Sequence, residues 1–242
     1  MISNNMENTL NLIINSIKDF ETKFFVDIGA SNNEEESQTE KLIQYGWKGI
    51  MFEIDPQKAN SLRKRLNNPD IIVICDRITP NNIVEHLTTF NVPNSFYLSL
   101  DIDSYDYFVL EKILEKYTPS CIVSEINEKI PLPLKFTILF DESYSWDQSH
   151  FYGYSIGMIE DLLDRFNYKI ELLHMNNLVL VPGKQEESLL EVYNKGYFNN
   201  PYKYNIFPWN YNMDVLHILP VEKQKEFLNL YFYKHKGKYL LL

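Results

Sequence analysis

The stretch Phe24-Phe25-Val26-Asp27-Ile28-Gly29-Ala30-Ser31 constrains this chain more than any other. Apolar residues and one acid run into a lone glycine, and a helical pattern follows. An apolar run this short, closed by glycine, is the pattern of a buried parallel strand entering a tight turn. Glycine permits that turn and lets a ligand lie against the backbone. Open α/β sheets bind ligands beyond the carboxyl ends of their strands, so a site is expected above Gly29.

The rest of the chain repeats the same rhythm. Leu10, Ile13, Ile14 and Ile17 mark one face of a helix over 4–19. A helix is expected over 34–45, ended by Gly46. A second strand, 49–55, leads into Pro56, and Pro56–Leu66 reads as its helix. Strands at 71–76, 96–100 and 121–125 alternate with helices at 80–88 and 105–117. Alternation of this kind predicts an α/β fold, a Rossmann-like, mostly parallel sheet with helices on both faces.

The rhythm breaks over 126–154, where Pro131, Pro133 and many aromatics show no period. A loop this long inside a domain is usually functional. A helix resumes over 155–166, and 169–174 with 178–181 read as a hairpin around Asn176-Asn177. Residues 1–185 are expected to form the main domain. Residues 186–242 form an aromatic-rich extension packed on it, ending in an amphipathic helix over 221–233. That extension also suits a homodimer contact.

The 33 acids outnumber the 23 bases, giving a net charge of −10, and no basic run could track a duplex. Nucleic acid is therefore not an expected partner. Cys75 and Cys121 each border an apolar run and read as buried, reduced thiols. The first nine residues are Asn-rich and acidic, unlike a secretion signal, and no apolar run reaches the ~18 residues of a membrane span. A cytoplasmic location is expected.

Glu53 follows Gly29 by roughly twenty residues, the place where βαβ nucleotide sites put an acid on the ribose hydroxyls. A dinucleotide would need further glycines to cradle its pyrophosphate. Only Gly29 is present, and Glu34, Glu35 and Glu36 crowd the turn. S-adenosylmethionine has no phosphate and carries cationic groups, which suits those acids. An NAD-dependent oxidoreductase is thereby disfavoured. An inactive nucleotide-binding module with the same fold is the other alternative.

Two groups of residues carry a resemblance: Val26-Asp27-Ile28-Gly29-Ala30-Ser31 with Phe52-Glu53-Ile54-Asp55-Pro56, and Leu98-Ser99-Leu100-Asp101-Ile102-Asp103-Ser104-Tyr105-Asp106-Tyr107 with Val123-Ser124-Glu125-Ile126-Asn127. Tyr152-Gly153-Tyr154-Ser155 follows them. On these the chain resembles the class I S-adenosylmethionine-dependent methyltransferases, and most closely the FkbM-like sugar O-methyltransferases of polysaccharide clusters. The resemblance spans about 23–181. Asn32 departs from it where a final glycine is usual, and Ser104 where relatives often have glycine. It implies a seven-stranded sheet with a reversed last strand. It also implies methyl transfer to a sugar hydroxyl, on a nucleotide-linked sugar or a saccharide destined for capsular polysaccharide.

The residues fall into roles on this reading. Asp27, Gly29, Ala30, Ser31, Glu53, Ile54, Asp76, Arg77 and Asp101 are the expected cofactor contacts. A hydroxyl acceptor must lose a proton, so a base or a metal is needed. Asp101, Asp103 and His150 are the candidate catalytic groups. Asp101, Glu125 and Asn127 form a hard-oxygen set suited to Mg2+ or Mn2+. Asp101 could instead bind the cofactor's amino group, and Asp103 could cap the following helix. Trp146, Tyr152 and Tyr154 offer flat faces to a sugar or a base.

Overall fold

The computed structural model describes residues 20–31, 38–201, 203–206 and 208–242. The helix expected over 4–19 and the turn at Asn32 lie outside them. The described residues form two compact units. The first runs up to Ile102 and includes Lys112–Ser124; the second comprises Asp103–Glu111 and Glu125–Leu242.

In the first unit, strand β1 (Phe24–Ile28) is buried along nearly its whole length. It pairs in parallel with β2 (Lys48–Glu53) on one side and β4 (Tyr97–Leu100) on the other. Strand β3 (Ile71–Cys75) extends the sheet beyond β2, and β5 (Cys121–Glu125) extends it beyond β4. The chain thus winds outward from β1 to β3 and then returns to the other side of β1. That reversal makes a topological switch point at the β1 and β4 ends, where such sheets open a crevice.

Helix α1 (Gln38–Gln44) ends at Gly46, which takes the left-handed conformation at φ +77°. Helix α2 (Pro56–Leu66) starts where the Asp55 carboxylate accepts the Gln57 and Lys58 amides, with proline in its first turn. Helix α3 (Ile83–Thr89) begins three residues later than the sequence suggests. Asn82 is the reason: its side chain accepts the Thr79 amide and donates to the Arg77 carbonyl, holding 77–82 as a turn. Helix α4 (Asp106–Leu114) is shorter than expected at both ends.

With β7 (Tyr168–His174) and β8 (Asn177–Pro182), seven strands form one mostly parallel sheet in the order β3-β2-β1-β4-β5-β8-β7, with helices flanking it. The last two belong to the second unit. Helix α5 (Ile156–Phe166) leads into β7 (Tyr168–His174), and a hairpin returns as β8 (Asn177–Pro182), antiparallel to it. His174 pairs with Asn177, so the turn is Met175-Asn176, with Met175 at φ +57°. It falls one residue earlier than the expected Asn176-Asn177.

The segment 126–154 is better ordered than its sequence suggests. It contains β6 (Phe136–Ile138), which pairs antiparallel with β9 (Tyr239–Leu241). Between them in sequence lie α6 (Leu189–Tyr193), a π-turn at Asn194–Phe198, α7 (Lys203–Ile206), a 3-10 segment at Pro208–His217 and α8 (Val221–Tyr231). Phe136, Tyr144 and Phe151 of the loop share one apolar core with Met213, Leu228 and Phe232. Residues 186–242 thus pack into the same unit as 125–185.

Cys121 is buried as expected, but Cys75 is exposed. It ends β3, the edge strand of the sheet, where only part of the strand is covered. No described helix is long and apolar enough to cross a membrane.

Candidate functional site

The first unit places one set of residues at the carboxyl ends of β1 to β4. Gly29 has φ +88°, and a Cβ there would sit 1.7 Å from the Asp101 carbonyl oxygen. The glycine is therefore demanded by the approach of its own chain at the end of β4, rather than by a ligand on that face. The Gly29 and Ala30 amides both reach the Phe52 carbonyl at 3.0 Å, and the Asp101 amide donates to Ile28. These bonds lock the β1 turn against the ends of β2 and β4. Ser31 follows in a left-handed conformation, φ +49°.

Asp27, expected at the cofactor, is buried below this turn. Its carboxylate accepts the Thr39 hydroxyl at 2.6 Å and bonds Ser99. Burial raises its pKa to about 6, against the pull of those two hydroxyls. Its contacts tie β1 to α1 and β4.

Glu53 is buried at the end of β2, and one oxygen accepts the Asp55 amide at 2.8 Å. A carboxylate has two oxygens, so it can still take hydroxyl donors. Beside it Ile54 is 50% exposed, a large apolar surface at the strand end. Asp76 follows β3; one oxygen accepts the Arg77 amide at 2.8 Å, and the other lies 2.9 Å from His86 Nε2. Asp101 is exposed at the end of β4.

A second set lies in the second unit. Asp103, at φ +55°, and Glu125, at the end of β5, bring carboxylate oxygens within 4.8 Å of each other. Glu125 also accepts the Asn176 side-chain amide. Asn127, expected as a metal ligand, is fully buried, and its amide donates to the carbonyls of His150 and Tyr152. It staples the loop to the end of β5, while its Oδ1 accepts no hydrogen bond among the described residues.

Two aromatic residues are corrected by their burial. Tyr154 is completely buried, with its ring edge-on to Tyr107, so it is core and offers no face to a ligand. Tyr152 is also buried, and its hydroxyl donates to Glu128 at 2.8 Å while accepting from Lys129. Burial first, and the nearby Glu128 and Glu125 charges next, raise its pKa well above the ordinary value. Trp146 keeps an open face at 42% exposure; its Nε1 donates to the Ser149 carbonyl, and its ring meets Tyr152 edge-on.

His150 is buried, and burial with the adjacent Lys129 charge lowers its pKa to about 4. It is neutral at pH 7 and a weak base.

The sequence pattern did not single out the buried pair that meets the Tyr152 hydroxyl. Glu128 and Lys129 are each buried and lie 3.1 Å apart. Asn210 donates to Glu128 at 2.7 Å, and Tyr193 donates to the Glu128 carbonyl. One signal was available: an acid and a base standing together between isoleucines, Ile126 and Ile130.

A hollow of about 320 Å³ near Arg63 and Pro69 lies at the start of β3, the opposite end of that strand from Asp76.

No protein-family model and no curated protein matches the chain. Solved structures share its fold. A proposed O-methyltransferase from Klebsiella pneumoniae is similar at 13% identity, covering 74% of this chain and 80% of that one, with a TM-score of 0.50. An O-methyltransferase from Bacillus cereus, solved with S-adenosylhomocysteine, is similar at 15% identity over 73% and 79% of the two chains, with a TM-score of 0.46. The strand order, with the likeness to the first of these structures, shows a Rossmann-like fold.

Proposed function

We propose that the protein is an S-adenosylmethionine-dependent O-methyltransferase whose acceptor is a hydroxyl of a sugar or nucleotide-linked sugar. The observation that carries the reading is the set of groups at the β1–β4 switch point. Glu53 keeps an acceptor oxygen for ribose hydroxyls, the exposed Asp101 suits the cofactor's ammonium, and Ile54 presents an apolar surface to a base. The turn has one glycine where a pyrophosphate would need several. The donor set fits a phosphate-free, cationic cofactor. The sugar acceptor and a place in capsular polysaccharide assembly rest on the resemblance of the strand-end residues.

In the proposed reaction the sulfonium–methyl bond breaks as the acceptor oxygen bonds the methyl carbon, leaving a neutral thioether. The hydroxyl proton must go to a base. Asp103 is the better candidate than His150, because its carboxylate is less buried and His150 is held weakly basic. Trp146 would stack on the acceptor. Asp103 and Glu125 are also hard-oxygen donors close enough to share Mg2+ or Mn2+, which would supply charge to acidify the hydroxyl.

Calorimetric titration with S-adenosylhomocysteine and with NAD tests the cofactor. Binding of the first alone supports the proposal, and binding of NAD alone would replace it with the oxidoreductase reading. Transfer of labelled methyl to a panel of nucleotide sugars, before and after chelation, tests acceptor and metal. Binding without turnover on any acceptor favours an inactive module.

A further inference from the structure

Resting on the reading of Trp146 as the face that stacks on the acceptor, we infer that the C-terminal tail is a latch for that face, with His235 as the positioning residue that holds Trp146 through Asp147.

Trp146 stands in an irregular stretch between β6 and α5 and is 42% exposed. An indole so placed samples several rotamers unless it is tied. Its tie is the bond from Nε1 to the Ser149 carbonyl at 2.9 Å. Ser149 is placed in turn by Asp147, whose Oδ1 accepts the Ser149 amide at 3.1 Å. Between them Gln148 takes φ +63°, a left-handed backbone that a residue other than glycine keeps only where its surroundings enforce it. The direction of Trp146 therefore depends on what holds Asp147.

The tail supplies that hold. His235, in the 3-10 turn Tyr233–His235 after α8, stacks on Phe151 with ring centres 4.0 Å apart and planes 6° apart. Its Nε2 stands 3.6 Å from Asp147 Oδ2, an ion pair when the imidazole carries its second proton. The His235 side chain is 18% exposed against 49% for Asp147, so the histidine is the fixed partner and the aspartate the held one. Further along the tail, the Lys238 carbonyl accepts the Leu139 amide at 2.9 Å, and the Lys238 ammonium donates to Asp141 at 2.9 Å. Asp141 also accepts the Ser143 amide and hydroxyl, and the Tyr144 hydroxyl donates to the Phe151 carbonyl. Both ends of the stretch 141–151 thus answer to the tail.

The test labels the full chain with fluorotryptophan and reads its three tryptophans by fluorine NMR without ligand, Trp146→Phe assigning the line. His235→Phe keeps a ring on Phe151 but offers Asp147 no nitrogen. It should move and broaden the Trp146 line, while the line of Trp47, buried in the first unit, stays in place. His235→Gln, which carries an N–H donor, should bring the Trp146 line most of the way back. A Trp146 line unmoved in His235→Phe would overturn the inference, because packing alone would then suffice; so would equal movement of the Trp47 line. Should His235→Phe fail to fold, Lys238→Met cuts the tail's other side-chain hold and should move the Trp146 line alone, and an unmoved line again overturns the latch. Activity separates the latch from the acceptor reading. With a nucleotide sugar that wild type methylates, His235→Phe should raise KM severalfold and change kcat less. A Trp146 line that moves while KM does not would support the latch and defeat the reading of Trp146 as the acceptor's face. Wild type that methylates no nucleotide sugar would defeat the sugar reading, and the Trp146 line would still decide the latch.

Discussion

Asp27→Asn should make the protein more stable at pH 8 and about 1–2 kcal/mol less stable at pH 4. Asp27 is buried, and its pKa rises from an ordinary 3.8 to about 6 because burial outweighs the Thr39 and Ser99 hydroxyls. The rise is about two pH units, which at ~1.36 kcal/mol each makes the ionised carboxylate cost the folded state about 3 kcal/mol. Below about pH 4 the carboxyl is protonated in both states, and the cost vanishes. Between pH 4 and 6 the unfolded chain ionises while the folded one keeps its proton, so stability falls as pH rises. Above pH 6 the whole cost is present. Asparagine accepts the Thr39 hydroxyl without a charge, but its amide hydrogens need an acceptor, which returns about 1–2 kcal/mol. The net gain at pH 8 is then about 1–2 kcal/mol. Urea unfolding of both proteins at intervals from pH 4 to 8 measures it. A variant less stable than wild type at pH 8, or a difference that does not change with pH, would refute the argument that burial governs this carboxyl.

Other substitutions probe separate parts of the molecule. Glu53→Ala should weaken S-adenosylhomocysteine binding by about 1–3 kcal/mol in calorimetry, the range for bonds to a charged group; unchanged affinity would remove Glu53 from the site. Gly29→Ala combines a left-handed backbone with a Cβ that meets the Asp101 carbonyl, so it should cost about 2–5 kcal/mol in chemical denaturation. Lys129→Met leaves Glu128 buried beside Tyr152 and Asn210 without its cation, and should cost about 3–5 kcal/mol. Adding Glu128→Gln should recover part of that loss, and a double-mutant cycle with no coupling would show that the two do not act as a pair.

The part of the fold written in short-range pattern was legible before any coordinates. Strands β1 to β5 are continuous apolar runs bounded by glycine, proline or acids, and each falls within a residue or two of its expected place. The strand-end acids Glu53, Asp76 and Asp101 were legible for the same reason, because a strand's end fixes where its next residue stands. Burial was not legible, since it depends on what packs from elsewhere. Tyr154 and Asn127 look like site residues in sequence and are wholly enclosed, and Asp27 answers to Thr39 and Ser99. Strand β6 was missed because the residues that pair with it, Tyr239–Leu241, lie far along the chain. The turn at Met175 was missed because methionine rarely takes positive φ, so two asparagines drew the hairpin one residue too late.

The pairing of Thr137 with Leu240 bears on the order in which the molecule can assemble. Strands β1 and β2 meet across a few tens of residues, so their register can form while later parts of the chain are still being made. The loop that carries Trp146 and His150 finds its strand partner and much of its apolar core only after roughly a hundred further residues exist. Until then Phe136 and Phe151 have no tail to cover them. The aromatic wall of the second unit is thus a late product of folding, and the emerging chain must carry those side chains in water, or on a chaperone, through that interval.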